Sequence, residues 1–323
     1  MNHSLTSIIK KLNFLLFFTL TLVPLSAAPN HPFSFDCDFE MGVLNGNIYE
    51  YVLPQSENAF SNKISMLDWQ VKSVPYIGLN IKSEVFNKMV ICLNGKTAVS
   101  SKSGVMQDYD WTSDNPFELT HYSNHQNFLL SFYEIDFSLG YNFFLLNEKL
   151  KLSPLIAYNF YFTDFDARDG YKNYKGEAEI APGVTGYITG SAICYTQEYH
   201  SLLFGAQMNY KYSKKFYFDF NLAFSPLLTF VACLDNHKKR KTYFLDKIDN
   251  ASLIKVGAKA SYFLDDMIKF SLSSSITYVP QAKGETFINN YGSSDNAVFL
   301  QSAAYGGVKS VLWSLSLNVG VVF

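Results

Sequence analysis

Beyond its first 28 residues this 323-residue chain has no run of about 18 apolar side chains. That excludes a membrane-spanning helix from the remainder. Charge is sparse: 17% of residues are Asp, Glu, Lys or Arg, and the formal net charge is −2. Nothing in that balance suggests nucleic acid as a partner. Cysteine is scarce too. Cys37, Cys92, Cys194 and Cys233 are scattered with no metal-ligand spacing. An even count permits two disulfides in an oxidising compartment, and isolated thiols on strands fit equally well. No repeat of fixed period, low-complexity tract or interdomain linker appears, so the reading is one domain.

What is present begins with a leader. Lys10 and Lys11 precede the apolar run Leu12 to Val23, and the small residues Ser26, Ala27 and Ala28 follow. A basic start, a short apolar core and a small-residue exit make a secretory signal peptide over residues 1–28. Cleavage falls after Ala27 or Ala28, and no Cys follows to carry a lipid. The mature chain, 29–323, keeps the aromatic density of 17%. An exported, aromatic-rich chain without spanning helices fits a transmembrane barrel, whose apolar residues are dispersed by alternation.

That alternation is visible. Tyr133, Ile135, Phe137, Leu139, Tyr141 and Phe143 interleave with Glu134, Asp136, Ser138, Gly140 and Asn142. The C-terminus reads Trp313, Leu315, Leu317, Val319, Val321 and Phe323 against Ser314, Ser316, Asn318 and Gly320. Successive strand side chains point to opposite faces, so each stretch has an oily and a polar wall. A soluble sandwich would turn the oily wall inward, whereas a membrane barrel turns it to lipid. Aromatics at strand ends favour the barrel.

Ten strands are expected: 33–50, 63–82, 85–101, 125–144, 148–165, 190–212, 215–234, 252–264, 267–281 and 307–323. The fold class is therefore an all-β, ten-stranded antiparallel transmembrane barrel. Asn147–Glu148 and Ser213–Lys214 read as periplasmic turns. The segments 51–62, 102–124, 166–189, 235–251 and 282–306 read as outer loops. Several strands exceed the roughly 10 residues that cross a bilayer, so the barrel should stand above the outer membrane. Ten strands leave too narrow a bore for a porin, which uses about 16 to 18.

Two acidic clusters stand where a strand gives way to an outer loop. In Asp108-Tyr109-Asp110-Trp111 the two carboxylates share one face of an extended segment, and in Asp235-Asn236-His237 the acid and the imidazole do. Closed across one mouth, they would ring a cleft with three carboxylates and an imidazole. Each piece alone is weak, because Asp-x-Asp is commonly a solvated turn and Asp-x-His a plain loop. A metal site needs more than one His and a matching spacing, so none is assigned.

Together with their surroundings these segments resemble the omptin family of outer-membrane, aspartic-type endopeptidases, over nearly the whole mature chain. Gly42-Val43-Leu44-Asn45-Gly46 with Glu50 is similar to that family's opening strand, and Leu67-Asp68-Trp69 to its second-strand signature. Asp108-Tyr109-Asp110-Trp111, then Asn115-Pro116, resembles its Asp-x-Asp-Trp loop. Leu145-Leu146-Asn147-Glu148 and Ala167-Arg168-Asp169-Gly170 match further segments, as does Asp235-Asn236-His237 with Lys239-Arg240-Lys241-Thr242-Tyr243.

The resemblance implies an endopeptidase on the cell outer membrane, its active site facing the exterior, cutting peptides or proteins next to basic residues. Asp108 and His237 would flank a water and take its proton; Asp235 would hold the imidazole, and Asp110 would support Asp108. Glu50 would select a basic side chain, with Met106 lining the same pocket. No cofactor is implied, but lipopolysaccharide or a similar outer-membrane lipid would be needed at a basic patch that includes Arg168. The sequence departs from the pattern at Cys233, where strict members place a second acid, and at His121, where another acid is common. The alternative is an inactive barrel serving as an adhesin or surface-binding protein. The retention of Asp108, Asp110, Asp235 and His237 argues against it.

Overall fold

The computed structural model describes residues 33–56, 58–99, 101–146, 148–292 and 298–323. The expected signal peptide lies outside these residues. Among them the chain forms β1 (Phe33–Leu53), β2 (Ser65–Val85), β3 (Met89–Ala98), β4 (Ser101–Asp110), β5 (His121–Tyr141) and β6 (Phe143–Leu145). Then come β7 (Leu150–Tyr174), β8 (Gly186–Lys211), β9 (Phe216–His237), β10 (Thr242–Phe263), β11 (Ile268–Asn290) and β12 (Leu300–Val322). All pairings are antiparallel.

These twelve segments make ten staves. β3 and β4 both lie between β2 and β5 and are two lengths of one stave. β6 continues β5 along β7 past Asn142. β1 pairs with β2 on one side and β12 on the other, so the sheet closes. Closure removes the unpaired edges that lipid would not tolerate.

The strands reach further outward than the sequence suggested. Four of the expected outer loops, 102–124, 166–189, 235–251 and 282–306, are largely strand. β4 runs to Asp110, β7 to Tyr174 and β9 to His237, while β10 already begins at Thr242. The physical reason is solvent. Above the membrane the outward wall meets water, so the oily-polar alternation fades although the backbone ladder continues. The links at that end shrink to 54–64, 111–120, 175–185, 238–241 and 291–299. At the other end the expected turn Ser213–Lys214 lies in the link between β8 and β9, Glu148 lies between β6 and β7, and Asn147 lies outside the described residues.

An oily belt girds the end where β1 begins and β12 ends. Phe39, Met41, Phe220, Leu222, Phe224, Phe270, Leu272, Leu315, Leu317 and Val319 all point outward and are exposed. Their partners on each strand face a lumen crossed by ion pairs, among them Lys96–Glu134 and Lys255–Glu134, both at 2.6 Å. A cavity of about 320 Å³ lies in this charged part of the lumen, well away from the mouth. Between lumen and mouth sits a fully buried aromatic layer. Trp69 stacks on Tyr195 at 5.3 Å and leans on Phe165 at 5.5 Å, with Phe132, Tyr161 and Tyr199 beneath. This layer is the dry floor on which the candidate site stands.

Candidate active site

Strand alternation aims each candidate. On β4, Met106, Asp108 and Asp110 point to the interior in ascending order, with Asp108 opposite Leu67 of β2 and Ser123 of β5. On β9, Cys233, Asp235 and His237 ascend the same way, with Asp235 opposite Tyr195 of β8 and Phe244 of β10. Glu50 enters from β1, between Leu67 and Val308. These residues sit on strands, not on free loops, which fixes them more tightly than the expected loop placement.

The structure brings both clusters to the same mouth. His237 Nε2 lies 2.6 Å from Asp235 Oδ2, and the ring packs edge-on against Phe244 with centroids 5.3 Å apart. Burial alone would lower the His237 pKa. The Asp235 charge and hydrogen bond overcome it, Asp108 adds to them, and the pKa rises above the ordinary imidazole value. Asp108 is buried and receives a long 3.5 Å hydrogen bond from the Ser65 hydroxyl. Burial, then the neighbouring Asp110, pushes the Asp108 pKa up to about 7, against the opposing pull of His237 and Arg240. The carboxyl and the imidazole thus each sense the other's charge, and both bind protons more tightly than such groups ordinarily do.

Beneath them Glu50 is 3% exposed, and its pKa is driven well above the carboxylate range by burial and then by Asp235 and Asp246. Its Oε2 and Asp235 Oδ1 are buried with no hydrogen-bond partner. Met106 is fully buried beside Trp69 and His125, in the wall below Asp108. The Cys233 thiol is buried and neutral, its pKa raised far above the usual value chiefly by desolvation. All four cysteines are free thiols.

Arg168 stands apart, on the outer wall of β7. Its guanidinium bonds Asp166 at 2.5 Å and lies 5.5 Å from the Phe128 ring. Asp169, its neighbour in sequence, turns away and accepts the Gly190 N–H at 2.8 Å. The acid that offsets Arg168 is therefore Asp166. Gly170 (φ +129°) permits the bulge here, because a Cβ would lie 1.9 Å from the Asn124 carbonyl oxygen. His121 opens β5 opposite Asp110 and meets the Tyr174 ring edge-on at 4.5 Å.

Sequence reasoning missed Asp246. It lies in the expected loop 235–251, yet it is a buried β10 residue facing the same interior and paired in register with Cys233. The signal was available: Thr242, Phe244 and Asp246 alternate inward from the strand that follows His237.

A closed ten-stave barrel with a lipid-facing belt and an acid-imidazole cleft at one mouth defines an outer-membrane protein of the surface-protease class. The chain belongs to the omptin family, whose sequence profile matches residues 31–319. It is 26% identical over 276 residues to the outer membrane protease IcsP of Shigella flexneri, covering 84% of this chain and 86% of that one. It is 25% identical over 271 residues to the plasminogen activator of Yersinia pestis, covering 82% of each. The crystal structure of the outer membrane protease OmpT from Escherichia coli superposes with a TM-score of 0.78 at 21% identity, covering 93% of this chain and 99% of that one. The likeness to that structure is one of fold.

Proposed function

We propose that this chain is an outer-membrane endopeptidase that hydrolyses peptide bonds next to basic residues, using a water held between Asp108 and His237. What supports the reading is that these two side chains, from β4 and β9, face one mouth close enough to feel each other's charge. His237 gives its Nε2 hydrogen to Asp235, which leaves Nδ1 as the nitrogen that takes the water's proton. Asp108 orients the water and shares the base role. Asp235 stabilises the imidazolium that forms, as a carboxylate does for a histidine base. Asp110 supports the Asp108 charge. The attack is direct, without a covalent enzyme intermediate, because the thiol nearest in sequence, Cys233, is buried as a neutral group in the wall.

Glu50 faces the basic side chain of the substrate from below, with Met106 as apolar wall. Lipopolysaccharide or a similar outer-membrane lipid is the proposed activator, bound near Arg168. The Asp166 pairing leaves that arginine little spare charge, so other cations must contribute.

The test is cleavage of a fluorogenic peptide containing an Arg-Arg pair by barrel refolded with lipopolysaccharide. Asp108→Asn and His237→Ala should each reduce the rate about 10³-fold or more while heat-modifiable migration persists. Cleavage undiminished in both variants sinks the assignment of the base and its partner.

A further inference from the structure

We infer that Asp246 is a specificity-determining residue: from β10 it supplies the second carboxylate that receives a substrate's guanidinium or ammonium group, in place of Cys233 on β9. This deepens the proposed function and rests on its preference for basic residues.

The geometry starts from register. Cys233 and Asp246 are direct cross-strand partners, so both occupy the same height of the interior wall. The side chain on β9 is an uncharged thiol, and the one on β10 is a carboxylate. Asp246 reaches inward over β11 toward β12, where Gly306 makes room. A Cβ at Gly306 would lie 2.1–2.4 Å from the Asp246 carboxyl atoms, so any other residue there would displace the group. On β12, Gly306 pairs with Val52 of β1, and Val308 pairs with Glu50. The two carboxylates therefore converge across β12. Thr286 of β11 donates to Asp246 Oδ1 at 2.6 Å and fixes the approach.

Charge points to the ligand. Glu50, Asp235 and Asp246 are each at least nine-tenths buried, and each raises the energy of ionising a neighbour. Among the described residues no Lys or Arg forms an ion pair with any of the three; Asp235 pairs with His237, and Asp246 accepts from the Thr286 hydroxyl. Glu50 Oε2 and Asp235 Oδ1 are buried without a hydrogen-bond partner. Buried acids without a Lys or Arg partner are costly unless they are protonated or a visiting cation pairs with them. Burial, then the Asp235 charge, raises the Asp246 pKa to about 7 against the Thr286 hydrogen bond. A planar guanidinium offers donors to two carboxylates at once, so arginine fits better than lysine.

The experiment compares two fluorogenic peptides that differ only before the cut bond, one with arginine and one with citrulline, its uncharged isostere. The enzyme is full-length barrel refolded with lipopolysaccharide. Wild type is expected to favour arginine. Asp246→Asn keeps an acceptor for Thr286 and should cut the arginine-to-citrulline ratio of kcat/KM by roughly 10- to 100-fold, with citrulline cleavage changed less than about threefold. Cys233→Asp combined with Asp246→Asn returns a carboxylate to β9 and should restore the ratio. If Asp246→Asn does not reach the heat-modifiable form, Asp246→Ser carries the same comparison.

A wild type that discriminates, together with variants that leave the ratio unchanged or lower both substrates equally, overturns the inference and leaves the proposed function standing. A double variant as poor as the single one also overturns it, since Asp246 would then act through shape. A wild type that does not discriminate removes the basic preference, and this inference with it.

Discussion

The lumen and the mouth bury carboxylates in opposite ways. Inside the membrane-level lumen a core of acids is held by cations: Glu134 contacts Lys96 and Lys255, and Asp136 shares Lys255, all at 2.6 Å. At the mouth, Glu50, Asp108, Asp235 and Asp246 are comparably buried but have one another, His237 and the nearby Arg240. The paired network fills the bore and holds the staves together. At the mouth, burial and neighbouring acids raise the proton affinity of Glu50, Asp108 and Asp246, none of which forms an ion pair with Lys or Arg among the described residues. Buried charge that is balanced is architecture; buried charge left unbalanced is where a substrate or a proton completes the arrangement.

The largest expected break in this contrast is Asp235→Asn. Asp235 is the element that raises the His237 pKa, by charge and by the 2.6 Å hydrogen bond. Without it the imidazolium formed during water attack loses its counter-charge, and kcat should fall about 10²- to 10⁴-fold. The sign on pH is definite. A protonated His237 is inactive, so lowering its pKa moves its part of the acid limb downward. The lost rate is not regained there, since the loss lies in the transition state. A pH profile of kcat/KM checks both, and an unchanged plateau would remove Asp235 from the mechanism.

Lys255→Met attacks the other region. It strips the cation from Asp136 and half the pairing from Glu134 inside the lumen. Breaking a buried pair by removing one partner costs about 3 kcal/mol. A urea titration of the barrel refolded in vesicles should show the drop. Surviving folded molecules should keep the wild-type arginine-to-citrulline ratio. A change in that ratio would mean that lumen and mouth are coupled through the Trp69–Tyr195 layer, contrary to the separation argued above.

How much of this was legible in the sequence follows the solvent. Within the membrane, oil on one side and polar lumen on the other force strict alternation, and stretches such as Tyr133 to Phe143 gave their strands away. Above it, water lies outside, and Thr242 to Ala251 lost the pattern while keeping the ladder. That is why the outer part of β10, 242–251, reads as a loop and Asp246 goes unseen while 252–264 reads as a strand. Asp108, Asp110, Asp235 and His237 were legible through family motifs, since spacing alone made them ordinary turns. Their union at one mouth depends on ten-stave closure, which puts β4 and β9 across from each other. No local pattern encodes that distance. The Asp166–Arg168 pair follows from strand alternation, which puts residues two apart, not adjacent ones such as Asp169, on one face.

The smallest effect sharpens the comparison most. Asp110 is only half-buried, two residues above Asp108, and it is the largest charged influence raising the Asp108 pKa to about 7. Asp110→Asn removes that repulsion, so Asp108 stays ionised to lower pH and its part of the acid limb should move down. The shift should be under about one pH unit, because one unit already corresponds to about 1.36 kcal/mol and water screens a charge at the rim. High salt should shrink the difference between wild type and variant for the same reason. The Asp235-dependent part should hold against salt, being buried. A wild-type limb insensitive to both Asp110→Asn and salt would mean that burial alone sets the Asp108 pKa. The mouth would then owe its poise to the dry aromatic floor instead of to its neighbouring acids.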